Sequence, residues 1–372
     1  MSEAVDSRTV TLAEAETRIL DAFEVKRPVF LWGLPGVGKS ELMEQIARNE
    51  YLGNTHLVDV RVALMEPTDL RGMPYFDRDS GKMKWAPPVD LPDEELASQY
   101  DTVILFLDEM NSAAPAVQAA GYQLILNRRI GTYKLPDNVV IVAAGNRESD
   151  KGVTYRMPSP LANRFVHLEV RVDFDSWLNW AVNNKIHEDV IGYCSFAKGD
   201  LCDFNPRSSG RSFAAPRTWT YVSDFVKKPG MADDRLTDLV SGCVGEGIAI
   251  KFMAHRKVAK DMPMPADILA GKVKDLKIKE ISAQYALTIG MCYELKDAYD
   301  DFGKKDAEKW HKMADNFFRF MMDHFPTEMT VMGARTAITN YNLPFQPNKL
   351  KHFKEFFERF GKYVVKAMEM ED

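Results

Sequence analysis

The stretch Gly33-Leu34-Pro35-Gly36-Val37-Gly38-Lys39-Ser40 leaves a chain few ways to fold. It satisfies GxxxxGK[ST] without a mismatch, and it follows an apolar run, Pro28-Val29-Phe30-Leu31-Trp32. Such a loop works when a buried strand feeds it and a helix leaves it, because the glycines then turn backbone N–H groups inward around phosphate oxygens. The helix beginning at Ser40 adds its positive N-terminal dipole. Lys39 brings charge to the β- and γ-phosphates, and the Ser40 hydroxyl is placed to ligate Mg²⁺. All eight residues are therefore candidate nucleotide contacts.

The surrounding pattern agrees with a strand–loop–helix unit. Helical spacing is expected over residues 9–24 (Leu12, Ala15, Ile19, Ala22, Phe23) and over Ser40–Asn49. Further strands are expected at His56–Val62, Val103–Leu107 and Val139–Ala144, with a strand-like run at Phe165–Val170 and a helix over Val117–Asn127. Strands alternating with helices predict a parallel sheet covered on both faces. The alternation fades near Val172, and from Phe174 apolar residues recur at helical spacing. Residues 199–217 read as a loop rich in Ser, Pro and Arg, and KDMPMPADI at 260–268 as a break before a C-terminal helical segment.

Two carboxylates, Asp108 and Glu109, end the most apolar strand, Val103–Leu107. Asp108 is the candidate Mg²⁺ ligand, directly or through water, and Glu109 the candidate base for an attacking water. The next strand ends Ala143-Ala144-Gly145-Asn146. Ligands of open α/β sheets sit at the carboxyl ends of strands, which puts Asn146 near the γ-phosphate as a water-positioning residue. No NKxD guanine-reading motif is present, so ATP is expected over GTP.

At this point the sequence resembles the AAA+ ATPases, and among them the MoxR-like branch. The match is carried by GLPGVGKS, LFLDEMNSA, AAGN and YRMPSPLANRF, in order and spacing over roughly residues 10–170. It continues more weakly through DFDSWLNWAV and APRTW. Two departures stand out: DEMNSA where the branch commonly reads DEINRA, and Asn163-Arg164-Phe165 where it commonly reads DRF. The resemblance implies an AAA+ P-loop NTPase core over 1–172, an α-helical lid over 173–262 and a C-terminal helical extension over 263–372. It implies a homo-oligomeric ring, commonly a hexamer, with each ATP between two subunits. Arg164 would then be the finger reaching a neighbour's γ-phosphate, with Arg156 and Arg147 as competitors. Arg217 resembles the sensor-2 arginine of the lid, with Arg207 and Arg211 close by. A protein substrate, or a partner with a von Willebrand A domain, is implied in the same way.

Between the second strand and the acidic strand, Tyr75-Phe76 and Met83–Trp85 flank Asp79-Ser80-Gly81, a turn signal that predicts a hairpin. In the resembled branch an insert here projects toward the pore. Two apolar stripes, Trp310/Met313/Phe317/Met321/Phe325 and Phe353/Phe356/Phe360/Val364, read as helix-packing faces. A formal charge of -6 gives no general attraction for nucleic acid, and the basic stretches 255–260 and 272–280 read as solvated faces. The four cysteines lie far apart with no CxxC, and MSEAVDSRTV does not read as a signal peptide, so a reducing cytoplasm is expected. No run is long and apolar enough for a membrane span, and histidine spacing points to no metal besides Mg²⁺. The expected function is an oligomeric Mg²⁺-dependent ATPase that remodels a protein partner. The alternatives are a DNA-acting or restriction-type NTPase and a nucleotide-gated scaffold with little turnover.

Overall fold

The computed structural model describes residues 8–130, 133–147, 150, 154–207, 210–273, 280–303 and 306–369, with side chains described as far as residue 362. The stretch 274–279, most of the second basic run, and the side chain of Val364 lie outside the described residues. The chain divides into two compact units. One holds the residues up to Asp173 together with Phe204–Ser208, and the other holds Phe174–Asp203 and the chain from Ser209.

The first unit is built on strands β1 (Thr9–Val10), β2 (Val29–Trp32) and β3 (Thr55–Arg61), a hairpin β4 (Met73–Asp77) and β5 (Lys82–Ala86), then β6 (Thr102–Asp108). A short pair β7 (Arg129–Ile130) and β8 (Tyr133–Lys134) precedes β9 (Val139–Gly145) and β10 (Val166–Val170). Six of them form one sheet in the order β1-β10-β2-β9-β6-β3, every neighbouring pair parallel. Alternate strand residues enter two separate cores, as the two-residue period demands. Val103, Leu105 and Leu107 pack with the helix Pro115–Asn127 on one face. Ile104 and Phe106 pack with the helices Leu12–Glu24 and Lys39–Ala47 on the other. The expected parallel, doubly covered sheet is the one observed.

The expected helix over 9–24 begins later, at Leu12. Thr9 and Val10 instead pair with Glu169 and Val170 as an edge strand. Thr11 then stops the strand and starts the helix: its Oγ1 accepts from Glu14 N at 3.1 Å, while Glu14 Oε2 accepts from Thr11 N at 2.8 Å. This reciprocal cap satisfies two helix-end donors, which periodicity alone does not reveal.

The described part of the second unit is helical. Its core is aromatic: Trp310, Phe317, Phe318 and Phe356 are buried together, Met321 and Phe325 join them, and Met313 and Phe360 pack against the cluster. Both apolar stripes are thus packing faces. Of the expected break at 260–268, residues 261–264 separate the helices Glu246–Lys260 and Pro265–Leu269, and residues 265–268 are helical because Pro265 starts the second helix. Two of the cations in the basic stretch 255–260 are paired with carboxylates elsewhere in the unit. Arg256 Nε lies 2.7 Å from Asp189, and Lys260 Nζ lies 3.1 Å from Asp233. His255 is buried, which pushes its pKa down to about 4 and leaves the ring neutral. Among the described residues no helix is long and apolar enough to cross a membrane.

Candidate active site

The carboxyl edge of the sheet gathers the residues singled out for phosphate chemistry. Val29, Phe30 and Leu31 of β2 are fully buried, and the strand ends at half-buried Trp32, directly before Gly33. Gly38 closes the loop at φ 105°, a conformation that suits glycine, and caps the helix Lys39–Ala47. Lys39 is 9% exposed, and its Nζ donates to Gly33 O at 2.7 Å, to Leu34 O at 3.1 Å and to Asn146 Oδ1 at 3.3 Å. A buried ammonium needs acceptors, and these neutral oxygens can be exchanged for phosphate oxygens with gain of charge pairing. Ser40 Oγ donates to Asp108 Oδ2 at 3.1 Å. The hydroxyl and carboxylate are therefore adjacent, as a shared hard cation would require.

Two further features lie at this edge. Glu109 has φ 54° in the left-handed region, which is uncommon for a residue with a Cβ and marks a forced turn at the end of β6. Its N–H donates to Asp108 Oδ1 at 2.8 Å. On the adjoining strand β3, the Asp59 carboxyl is raised from its ordinary value, first by loss of surrounding water and then by the charge of Asp108, with Glu44 adding to it. Its side chain still reaches solvent. The negative field beside Ser40 thus already opposes a further carboxylate charge, and a divalent cation would relieve it.

Sequence reasoning missed Asn111. It is 1% exposed, and it clamps the backbone of Asn146 from both sides. Asn111 Nδ2 donates to Asn146 O at 2.6 Å, and Asn111 Oδ1 accepts from Asn146 N at 3.2 Å. A Cβ at Gly145 would come within 2.2 Å of Asn111 Oδ1, so the glycine admits the clamp. Nothing in spacing marks Asn111, because its partner lies 35 positions away, just past the end of β9. Asn111→Ala should leave two buried backbone groups unpaired at a cost of about 1–3 kcal/mol. We expect a lowered melting temperature and turnover reduced about tenfold with nucleotide affinity retained, checked by calorimetry and steady-state kinetics. Unchanged turnover would show that Asn146 needs no clamp.

The candidate arginines separate by edge. Arg147 follows β9 at the carboxyl edge and is tied down, its Nε 2.8 Å from Glu169 Oε1. Arg156 is next to Tyr155, whose N–H donates to Asn111 O at 2.7 Å, so it too belongs to the carboxyl edge. Arg164 is exposed and precedes β10 at the opposite, amino edge. Arg217 is exposed in the first turn of the helix Pro216–Lys227 in the second unit, which also contains Arg211, while Arg207 groups with the first unit. The structure therefore brings together the phosphate loop, Asp108, Glu109 and Asn146 and sets Arg164 at the opposite edge of the same sheet, while Arg217 belongs to the second unit.

Residues 29–171 match the family model of the ATPase family associated with various cellular activities (AAA). Midasin from Giardia intestinalis is 30% identical over 184 residues, an alignment covering 47% of this chain and 4% of midasin's length. NtrX from Brucella abortus is 12% identical with a TM-score of 0.39, covering 84% of this chain and 69% of that one. The RuvB P216G mutant from Thermotoga maritima is 18% identical with a TM-score of 0.35, covering 77% and 86% respectively.

Proposed function

From the premise that residues 29–171 form an AAA ATPase domain, which makes the chain an ATP hydrolase, we propose that it works as a ring of MoxR-like type remodelling a protein partner. The position of Arg164 carries this reading. It leaves the amino edge of the sheet, while Lys39, Asp108 and Asn146 stand at the carboxyl edge. Arg164 stands level with Arg27, six positions before Gly33, which is about 20 Å at roughly 3.3 Å per residue. An arginine there cannot touch the nucleotide of its own loop, but it can touch that of a neighbouring copy.

In this reading Gly33–Ser40 and Lys39 hold the phosphates of ATP, and Ser40 with Asp108 would hold Mg²⁺. Bound there, the cation would draw charge from the phosphate oxygens. Asn146 positions a water and Glu109 takes its proton. The water oxygen bonds to the γ-phosphorus as the bond to the β–γ bridging oxygen breaks, and that electron pair leaves with ADP. Arg164 of the next copy meets the charge that develops. Arg217 couples the lid, residues 173–262, to the nucleotide, and residues 263–372 extend the lid. A partner with a von Willebrand A domain fits the same branch. The paired state of Arg256 and Lys260 weighs against a DNA-acting motor. Turnover per chain should rise steeply with protein concentration as rings assemble. Full turnover at concentrations where the chain is monomeric would overturn the shared site.

The hairpin β4–β5 is the candidate grip on the partner. Tyr75 and Phe76 are 47% and 60% exposed, and Met73 and Met83 are exposed with them. Trp85 is half-buried with the Arg71 guanidinium 5.4 Å over its ring. Side chains this exposed contribute little to their own fold. Tyr75→Ala and Phe76→Ala should therefore keep basal ATPase within a few-fold and shift the melting temperature by only about 1–2 °C. Remodelling of the partner should be lost. Remodelling at wild-type rate by both variants would remove the hairpin from the mechanism.

A further inference from the structure

Arg27 and Arg164 leave the amino edge of the sheet side by side. In the parallel register of β2 and β10, Val29 faces Val166, and Val166 N donates to Pro28 O at 2.9 Å. Two positions upstream on each chain segment stand Arg27 and Arg164, both exposed. The backbone of Arg27 is set by the turn that ends the helix Leu12–Glu24. Its N–H donates to Ala22 O at 2.9 Å, with Lys26 at φ 51° beside it.

The two arginines share a cavity of about 170 Å³ with Lys26 and Arg128, and among the described residues no acidic one lines it. Two of the four cations are engaged with main-chain carbonyls. Lys26 Nζ donates to Asp137 O at 3.1 Å, and Arg128 Nη2 donates to Pro136 O at 2.6 Å and Val139 O at 2.8 Å. Carbonyls leave the charge of these two cations standing; the nearby Asp137 carboxylate, whose charge acts on Arg128, pairs with Lys134 at 3.6 Å and offsets only part of it. Among the described residues, neither Arg27 nor Arg164 has a carboxylate partner. Adjacent guanidiniums without a counter-ion repel each other, and an anion between them turns that repulsion into two attractions. The planar fork of a guanidinium matches a phosphoryl group's oxygens. The cavity is well below the roughly 300–1,000 Å³ of pockets that enclose a whole small ligand, so it suits the end of a larger anion.

We propose that Arg27 is a second arginine acting across the ring interface, bracketing with Arg164 the terminal phosphate of the nucleotide held by a neighbouring copy's phosphate loop. This rests on the shared-site reading above. Lys26 and Arg128, anchored to carbonyls, keep the cavity wall positive. The facing carboxyl edge, with Asp59, Asp108 and Glu109, supplies the complementary charge.

The test compares Arg27→Gln, Arg27→Lys and Arg164→Ala in the full chain. At dilutions where the chain is monomeric, Arg27→Gln should bind a fluorescent ATP analogue as wild type does. Its melting temperature should be unchanged or raised, since a repulsion is removed; a purely structural role at the helix end would lower it and would overturn the proposal. At ring-forming concentrations turnover should fall about 10- to 100-fold, less than the roughly 10³–10⁵ of a principal finger. Arg27→Lys should lie between. Adding Lys39→Ala chains, which carry an intact Arg27 and Arg164, should restore part of the turnover.

Wild-type turnover by Arg27→Gln, with Arg164→Ala impaired and rescued, would overturn the role of Arg27 and leave the shared site intact. If Arg164→Ala shows neither loss nor rescue, the shared site itself falls and the proposal with it. Loss in Arg27→Gln without rescue would place Arg27 within its own subunit and overturn the proposal. Inorganic tripolyphosphate or a DNA duplex bound by Lys39→Ala through Arg27, with no effect of Arg27→Gln on turnover, would assign the cavity to another phosphate source and overturn it too.

Discussion

Replacing Lys39 with alanine should remove nucleotide binding, and replacing Glu109 with glutamine should preserve it while stopping turnover. Lys39 is buried and already supplies three hydrogen bonds to oxygen acceptors at the mouth of the loop. Hydrogen bonds from a charged donor contribute about 1.5–3 kcal/mol each. Losing even one or two of them weakens ATP binding roughly 100-fold, at about 1.4 kcal/mol per factor of ten. Among the described residues the Glu109 side chain makes no such contact, and it is exposed at the turn after β6. Its glutamine variant keeps the shape and loses only the proton acceptor, so turnover should fall by about 10²–10⁴. Titration with a fluorescent ATP analogue and phosphate-release kinetics separate the two effects. Equal ATP affinity in Lys39→Ala and wild type would sink the cradle, and full turnover in Glu109→Gln would dismiss the base.

Arg164→Ala should bind ATP nearly normally and hydrolyse it about 10³–10⁵-fold more slowly, the range arginine fingers supply. A mixture with Lys39→Ala chains should recover activity that neither has alone, because an intact arginine on one chain then meets an intact loop on the next. In a randomly mixed ring of equal parts, about a quarter of the interfaces are complete. The arithmetic requires head-to-tail contacts, and the opposite edges of the sheet supply two different surfaces for them. Recovery well below that fraction, with mixed rings verified, would argue that Arg164 acts within its own chain.

Much of the fold was legible because its signals are local. A glycine loop between a buried apolar run and a helix start constrains adjacent dihedrals, so strand, loop and helix can be read within fifteen residues around Gly33. The apolar run Val103–Leu107 is wholly buried and Val139–Ala144 is buried except for half-buried Val140, the near-continuous apolar composition that parallel strands covered on both faces carry. The start of the first helix was misread because Thr9 and Val10 obey a pairing with Glu169 and Val170, far along the chain. Asn111 escaped notice for the same reason. Its neighbours in sequence are the acidic pair, and its function is defined by a backbone just past the end of β9.

The sequence by itself determined which chemistry the carboxyl edge can support, since Lys39, Ser40, Asp108, Glu109 and Asn146 each sit at the end of a recognisable strand or the start of a helix. The tertiary structure alone decided on which side of the sheet each arginine stands. Arg147, Arg156 and Arg164 lie within eighteen positions of one another and carry the same side chain. Chain direction and strand register put two of them at the carboxyl edge and one at the amino edge, where it lines a cavity with Arg27, a residue distant in sequence that precedes β2. Such placements depend on non-local pairing, and no pattern of residue types along the chain encodes them.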